Sequence, residues 1–338
     1  WHTIKAFSLF FITMSHPSNP YTQLTPRTQE VLQAIAKAGR PPIATLTAHQ
    51  AKEAYALGAR ILEVPMPTMA RDETLKISVR DGTQLRAKLW SPISREASPA
   101  LPVLLYFHGG GFTVGSPETH EGVCKQLAHL AQCAVVSLDY RLAPEYKFPT
   151  AHRDAIDALK WLAQHAQALG LDVQRIAIGG DSAGGTLTAA TAIGARDAGI
   201  ALRLQLMFYP GCAADHMASA DTFAKGFLLE KDSIDYFYGH YLEHPSHRQD
   251  PLFSPLVEAN VSDVAPAWIG LAECDPLVDE GIAYGDHLRM AGVPVDLEIY
   301  KGVVHSFIQM GRMIPEALTA HADAAKALRT AFKLKEPA

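Results

Sequence analysis

The chain has 338 residues, 48% of them hydrophobic and 19% charged, with a formal net charge of −5. This composition belongs to a globular chain with a large core and excludes a disordered or fibrous one. The acidic balance gives no electrostatic pull toward nucleic acid or an anionic membrane surface.

Residues 1–13 contain Ala6-Phe7-Ser8-Leu9-Phe10-Phe11-Ile12, with Lys5 as the only formal charge, and Ser15-His16-Pro17-Ser18 makes a poor cleavage site. An export signal needs a charged start and a small-residue cleavage site. The stretch therefore reads as a non-native or disordered extension, with Met14 as the natural start. It is also too short to span a bilayer, so no stable membrane insertion is expected. Helical patterns follow at 26–38 and 47–57, separated by Pro41-Pro42. Strand-like alternation at 74–79 and 84–90 flanks Asp81-Gly82, a hairpin turn signal.

From there the pattern becomes strand, helix, strand. Strand runs are expected at 103–107, 134–139, 175–178, 205–209, 267–272 and 296–300. Helical patterns lie near 119–132, 152–168, 183–198 and 278–291, with a last one near 315–333. Continuous apolar strands between amphipathic helices predict an α/β fold: a mostly parallel eight-stranded sheet flanked by helices. Residues 211–256 interrupt the rhythm and read as helix and loop.

In such a sheet, chemistry gathers beyond the carboxyl ends of the strands. The run ending at Ile178 enters Gly179-Gly180-Asp181-Ser182-Ala183-Gly184-Gly185. This G-x-S-x-G pattern places a serine on a sharp strand-to-helix turn, where glycines avoid a clash with neighbouring backbone. Asp275 follows the run 267–272, and His305 follows the run 296–300. A serine hydroxyl is a weak nucleophile, so a neutral imidazole must take its proton and a carboxylate must orient that imidazole. Ser182, Asp275 and His305 supply these three roles in α/β-hydrolase order. The first parallel strand run ends in His108-Gly109-Gly110-Gly111-Phe112. Bare backbone N–H groups there suit a developing oxyanion. Gly110, Gly111 and Ala183 are the expected donors, with Gly109 as a substitute for one of them.

These motifs, with Asp139-Tyr140-Arg141-Leu142-Ala143-Pro144-Glu145, Asp275-Pro276-Leu277-Val278-Asp279-Glu280-Gly281 and Gly292-Val293-Pro294-Val295, resemble the hormone-sensitive-lipase-like esterases, bacterial family IV. The resemblance covers roughly residues 26–333. It implies a catalytic core of residues 66–210 and 257–338. It also implies a helical cap built from residues 14–65 and the insertion 211–256. Hydrolysis of short- to medium-chain acyl esters through an acyl-enzyme, with no cofactor and no metal, is the implied activity. One departure is Ser306, where glycine more often follows the histidine.

Amidase, lactonase or deacetylase chemistry would use the same triad, because these motifs do not encode the leaving group. A non-catalytic receptor of this fold would lose the histidine, which is present here. Asp279 and Glu280 are rival acids, but their place at the start of a helix is explained by the helix dipole. His108 and Asp181 read as loop-shaping and structural groups, and Arg141 and Glu145 as braces. His240, His244 and His247 read as surface residues, since Pro245 ends the helix they would need to bind a metal. Phe112, Phe227, Leu228, Leu277 and Phe307 are candidate pocket residues, with core packing as the alternative. A small-molecule ester is the expected partner. A homodimer through the sheet edge or last helix is an expectation by analogy only.

Overall fold

The computed structural model describes residues 19–95, 100–213 and 215–334. The expected extension at 1–13, and residues 14–18 of the expected cap, lie outside the described residues.

The elements in chain order are α1 (Pro26–Lys37), α2 (Ala48–Gly58), β1 (Arg71–Ser78), β2 (Gln84–Ser91) and β3 (Leu101–Phe107). Next come α3 (Glu121–Ala131), β4 (Ala134–Leu138), α4 (Thr150–His165), β5 (Leu171–Asp181), α5 (Ala183–Asp197) and β6 (Gln205–Phe208). The chain continues through α6 (Ala218–Thr222), α7 (Lys231–Tyr241), β7 (Ala267–Cys274), α8 (Val278–Met290), β8 (Val295–Val304) and α9 (Glu316–Ala331). The sheet runs β1-β2-β4-β3-β5-β6-β7-β8. β1 and β2 are antiparallel, β2 pairs antiparallel with β4, and β3 to β8 run parallel. This is the expected architecture.

Every residue of β3, β4 and β6 is buried, as expected of strands covered on both faces. One face packs Val135, Leu206, Phe208 and Trp268 with residues of α3 and α9. The other packs Val136, Ile178 and Leu187 with α4 and α5, and Ile269 and Leu271 with Tyr284 and Leu288 of α8. The hairpin turns at Gly82, whose φ of +83° suits a residue without Cβ, while Thr83 N donates to Asp81 Oδ1 at 3.0 Å.

Three parallel strands extend beyond the expected runs. β5 reaches Asp181, β7 reaches Cys274 and β8 reaches Val304. Their added residues are less regularly apolar, so hydrophobic pattern alone stopped short of them. The extensions matter for the site: Cys274 pairs with Val304, so Asp275 and His305 each begin one residue past a paired position. β5 lies between β3 on one side and β6, β7 and β8 on the other. The serine turn is therefore flanked by the glycine loop on one side and by the acid and base loops on the other.

The insertion forms α6, α7 and two short turns at Pro245–Gln249 and Pro255–Val257. Phe237 of α7 shares a small apolar cluster with Ala51 of α2 and Val114, and Ile43, Leu46 and Tyr55 pack against it. The N-terminal helices and the insertion thus meet above the loop that follows β3.

Candidate active site

Ser182 stands between β5 and α5 with φ 54° and ψ −120°, a conformation L-residues rarely adopt. The turn is possible because a Cβ on Gly180 or Gly184 would run into the backbone carbonyl of Phe107. Ser182 N donates to Phe208 O at 2.9 Å, which anchors the turn to β6. His305 Nε2 lies 2.9 Å from Ser182 Oγ, and His305 Nδ1 lies 2.6 Å from Asp275 Oδ2. Asp275 is fully buried and its Oδ1 accepts from Leu277 N at 2.9 Å. The three side chains that the strand ends predict therefore form one hydrogen-bonded line. Ser306 occupies a left-handed position with φ 63°, which explains why glycine is the easier residue there.

The loop after β3 turns at Gly110 and Gly111, with φ of 119° and 56°. Among the described residues the N–H groups of Gly110, Gly111 and Ala183 donate to no protein acceptor. Ala183 is also the first residue of α5, where the helix dipole favours negative charge. Gly109 is different. Its N–H is shared between Asp181 Oδ1 at 3.0 Å and His120 Nε2 at 3.3 Å, so it cannot replace one of the other donors. The expectation for Gly109 is corrected on that ground.

His108 shapes the loop. Its Nδ1 lies 2.8 Å from Gly109 O, its ring stacks on Tyr140 at 4.3 Å, and burial pulls its pKa down to about 3, so it is neutral. Tyr140 Oη donates to His108 O at 2.8 Å. Arg141 pairs with Asp154 at 2.6 Å and Asp81 at 2.7 Å, and Glu145 with Lys52 at 2.6 Å.

A cavity of about 370 Å³ lies beside the acid loop, between the core and the insertion. Leu277 and Glu280 wall it on one side, and Lys231, Asp235, Tyr238 and Arg248 on the other. Of the five candidate pocket residues, only Leu277 borders it. Phe112 stacks on Tyr241 at 4.3 Å, Phe227 meets Phe223 and Tyr21, and Phe307 meets Tyr209 and Tyr300. Leu228 packs against the core clusters. Large apolar side chains near a site fill core before they line solvent, and sequence carries no signal that separates the two outcomes.

The sequence reading missed several side chains that hold the site. Tyr209 packs its ring 4.5 Å from that of His305. Phe237 covers Gly111 closely enough that a Cβ there would enter its ring. His120 and Glu63 lie behind the glycine loop. None of these stands in a motif, and long-range packing alone brings them to the site.

The rival acids have other partners. Asp279 Oδ2 accepts from Ser219 N at 2.8 Å, and Glu280 Oε2 accepts from Cys212 N and Ala213 N at 2.7 and 2.9 Å. Burial pushes the Glu280 pKa up from 4.5 to about 7 despite those two N–H groups. A carboxyl whose pKa is higher folded than unfolded costs stability increasingly as pH rises between the two values. Glu280→Gln is therefore expected to gain stability relative to the parent between about pH 5 and pH 8. Melting temperatures of both proteins at the two pH values check this, and a gap that does not widen with pH refutes it. Among the described residues no group of three or more His, Cys, Asp or Glu side chains is placed to hold a metal ion. His240 lies in α7, whereas His244 and His247 lie beyond its end.

A protein family described by the alpha/beta hydrolase fold matches residues 104–309. The ethyl acetate hydrolase of Pseudomonas putida is 40% identical over 294 residues, covering 85% of this chain and 92% of that protein. The arylesterase of Saccharolobus solfataricus is 36% identical over 289 residues, covering 84% and 92%. Among solved structures, the hyperthermophilic esterase of Pyrobaculum calidifontis superposes with a TM-score of 0.86 at 36% identity, covering 91% of this chain and 98% of that one.

Proposed function

This chain belongs to the alpha/beta hydrolase fold family, in its hormone-sensitive-lipase-like branch, and is a carboxylesterase; on that premise we propose that Ser182, His305 and Asp275 carry out acyl transfer on small esters. Ser182 Oγ attacks the ester carbonyl carbon while its proton passes to His305 Nε2. The N–H groups of Gly110, Gly111 and Ala183 receive the oxyanion, each such donor contributing about 3–4 kcal/mol to the transition state. The bond to the alkoxide breaks as His305 returns the proton to the leaving oxygen. Water then attacks the acyl carbon, gives its proton to His305, and the carboxylic acid leaves as Ser182 regains its hydrogen. Asp275 holds the imidazole in the tautomer that accepts from serine and stabilises the imidazolium.

The observation that carries this reading is the hydrogen-bonded line from Asp275 Oδ2 to Ser182 Oγ, 2.6 and 2.9 Å long. A reactive organophosphate tests it. Stoichiometric loss of activity should accompany a phosphoryl mass increment on the peptide containing Ser182. Labelling elsewhere, or inhibition without labelling, overturns the assignment.

The described parts of residues 14–65 and 211–256 form the cap in this reading, supported by the cluster of Phe237 with Ala51 and Val114 above the glycine loop. A preference for short- to medium-chain esters is part of the same proposal and is supported by the likeness to the ethyl acetate hydrolase of Pseudomonas putida. Going from p-nitrophenyl butyrate to palmitate, kcat/KM should fall by about tenfold or more. Equal efficiency on the two esters refutes the short- to medium-chain preference. No described helix is long and apolar enough to cross a membrane. A cytoplasmic setting is part of the proposal, supported by four cysteines that are all free and buried. A homodimer is too, resting on the edge position of β8.

A further inference from the structure

A buried cluster of titratable groups sits behind the glycine loop, and acyl transfer itself does not use it. Asp181 precedes the nucleophile and is buried. Its Oδ1 accepts from Tyr106 Oη at 2.7 Å and from Gly109 N at 3.0 Å, and its Oδ2 faces His120 Nε2 at 3.3 Å. One carboxylate thus joins the serine turn to the loop that carries the free N–H groups.

The protonation of His120 follows from its partners. Its Nδ1 lies 2.9 Å from Thr119 Oγ1. That hydroxyl directs its single proton to Ser116 O at 2.9 Å and accepts from Ser116 N at 2.9 Å. Thr119 Oγ1 is therefore an acceptor toward His120, and Nδ1 is the donor. Nε2 lies 3.3 Å from Asp181 Oδ2 and also 3.3 Å from Gly109 N, whose N–H is shared between Nε2 and Asp181 Oδ1. The buried Asp181 carboxylate beside Nε2 favours a second hydrogen there, which makes the ring, fully buried at the start of α3, an imidazolium.

A second carboxyl, Glu63, interacts electrostatically with the ring, and burial pushes its own pKa up to about 7, so it is ionised above neutral pH. Glu63 is 5% exposed, both of its oxygens lack a hydrogen-bond partner among the described residues, and it lies against Gly122 in the first turn of α3. The remaining groups facing the ring are neutral: His108 at 5.5 Å between ring centroids, Tyr55 at 6.3 Å, and Tyr106 through Asp181. Burial opposes charge on His120, but Asp181 and Glu63 outweigh it and raise its pKa. The pKa of Asp181 is held low by His120 against its own burial.

We propose that His120, held as an imidazolium by Asp181 and Glu63, is a positioning residue for the oxyanion loop. It keeps Asp181 ionised, so that this carboxylate accepts from Gly109 N–H and fixes the Gly109–Gly111 backbone against the serine turn. A neutral or absent partner leaves a lone buried carboxylate, which takes up a proton and ceases to be a reliable acceptor for that N–H. The proposal rests on the reading of Gly110, Gly111 and Ala183 as oxyanion donors.

The test separates positioning from mere structure. In His120→Gln, kcat on p-nitrophenyl butyrate should fall about tenfold or more while KM changes less than about threefold. Affinity for an aryl trifluoromethyl ketone, to whose carbonyl carbon Ser182 Oγ adds with proton transfer to His305, should weaken by the same factor as kcat/KM. A variant that keeps its kcat, or whose loss falls on KM alone, overturns the proposal. If His120→Gln does not fold, Glu63→Gln decides. Removing that negative charge lowers the His120 pKa, so the alkaline limb of kcat/KM should move to lower pH. An alkaline limb that does not move to lower pH in the variant overturns it. Ser182→Ala run in parallel guards the underlying reading: activity in that variant would refute the nucleophile and not the His120 proposal.

Discussion

Ser182→Ala is expected to lower kcat on p-nitrophenyl butyrate by on the order of 10⁶-fold, with KM little changed. The size of the effect follows from the site's construction. His305 Nε2 has one productive partner, Ser182 Oγ at 2.9 Å, and Asp275 acts only through that imidazole. Without the hydroxyl, the base and its orienting acid lose their function together. What remains is an oxyanion hole facing a carbonyl, which supports a residual ~10³-fold advantage over water. The fold should not suffer. The Ser182 side chain makes no cap bond to α5, and the strained φ of 54° is imposed by the backbone bond to Phe208 and by the glycines on either side. Unchanged melting temperature with activity lost is therefore the expected pair of results. Variant activity close to the parent, with contamination excluded by loss of organophosphate labelling, would remove Ser182 from the mechanism.

The parts of this site that sequence displays are those that backbone geometry forces upon it. Gly180 and Gly184 must be glycine because the carbonyl of Phe107 occupies the space a Cβ would need, so the serine turn writes itself into the chain. Gly110 and Gly111 hold φ values that other residues reach only with strain. The strands follow from apolar runs, and the place of the chemistry follows from where those strands end. The side chains behind the loop follow no such rule. His120 and Glu63 lie 57 positions apart in sequence, outside every recognisable spacing, and meet only because the segment after α2 packs against the start of α3. The aromatic residues near the site were open to two readings, pocket wall or core. Phe112 looks like a pocket wall because it follows the glycine loop, but its φ of 58° turns it into a stack with Tyr241. Periodicity reports that a side chain is buried, not whether its neighbour is protein or substrate.

Asp275→Asn should cost about 10⁴-fold in kcat at neutral pH, and the hydrogen bonds around Asp275 say why. In the parent, Oδ1 accepts from Leu277 N at 2.9 Å and Oδ2 accepts from His305 Nδ1 at 2.6 Å. An asparagine amide has one acceptor and one donor to meet two donors. With its oxygen toward His305, its NH₂ would oppose the buried N–H of Leu277, leaving donor against donor in a site with no exposure. Turned the other way, its oxygen satisfies Leu277 and its NH₂ points at Nδ1, which must then accept. The imidazole proton moves to Nε2, and a protonated Nε2 cannot take the proton of Ser182. The geometry is kept and the tautomer is wrong. The variant should fold, bind substrate with little change in KM, and react with organophosphate far more slowly than the parent. The neighbouring acids sharpen the test. Glu280 is bound to Cys212 N and Ala213 N, and Asp279 to Ser219 N, so neither faces the imidazole. Glu280→Gln and Asp279→Asn should therefore lose far less activity than Asp275→Asn. If Glu280→Gln matched the loss of Asp275→Asn, the orienting acid would have to be reassigned to Glu280.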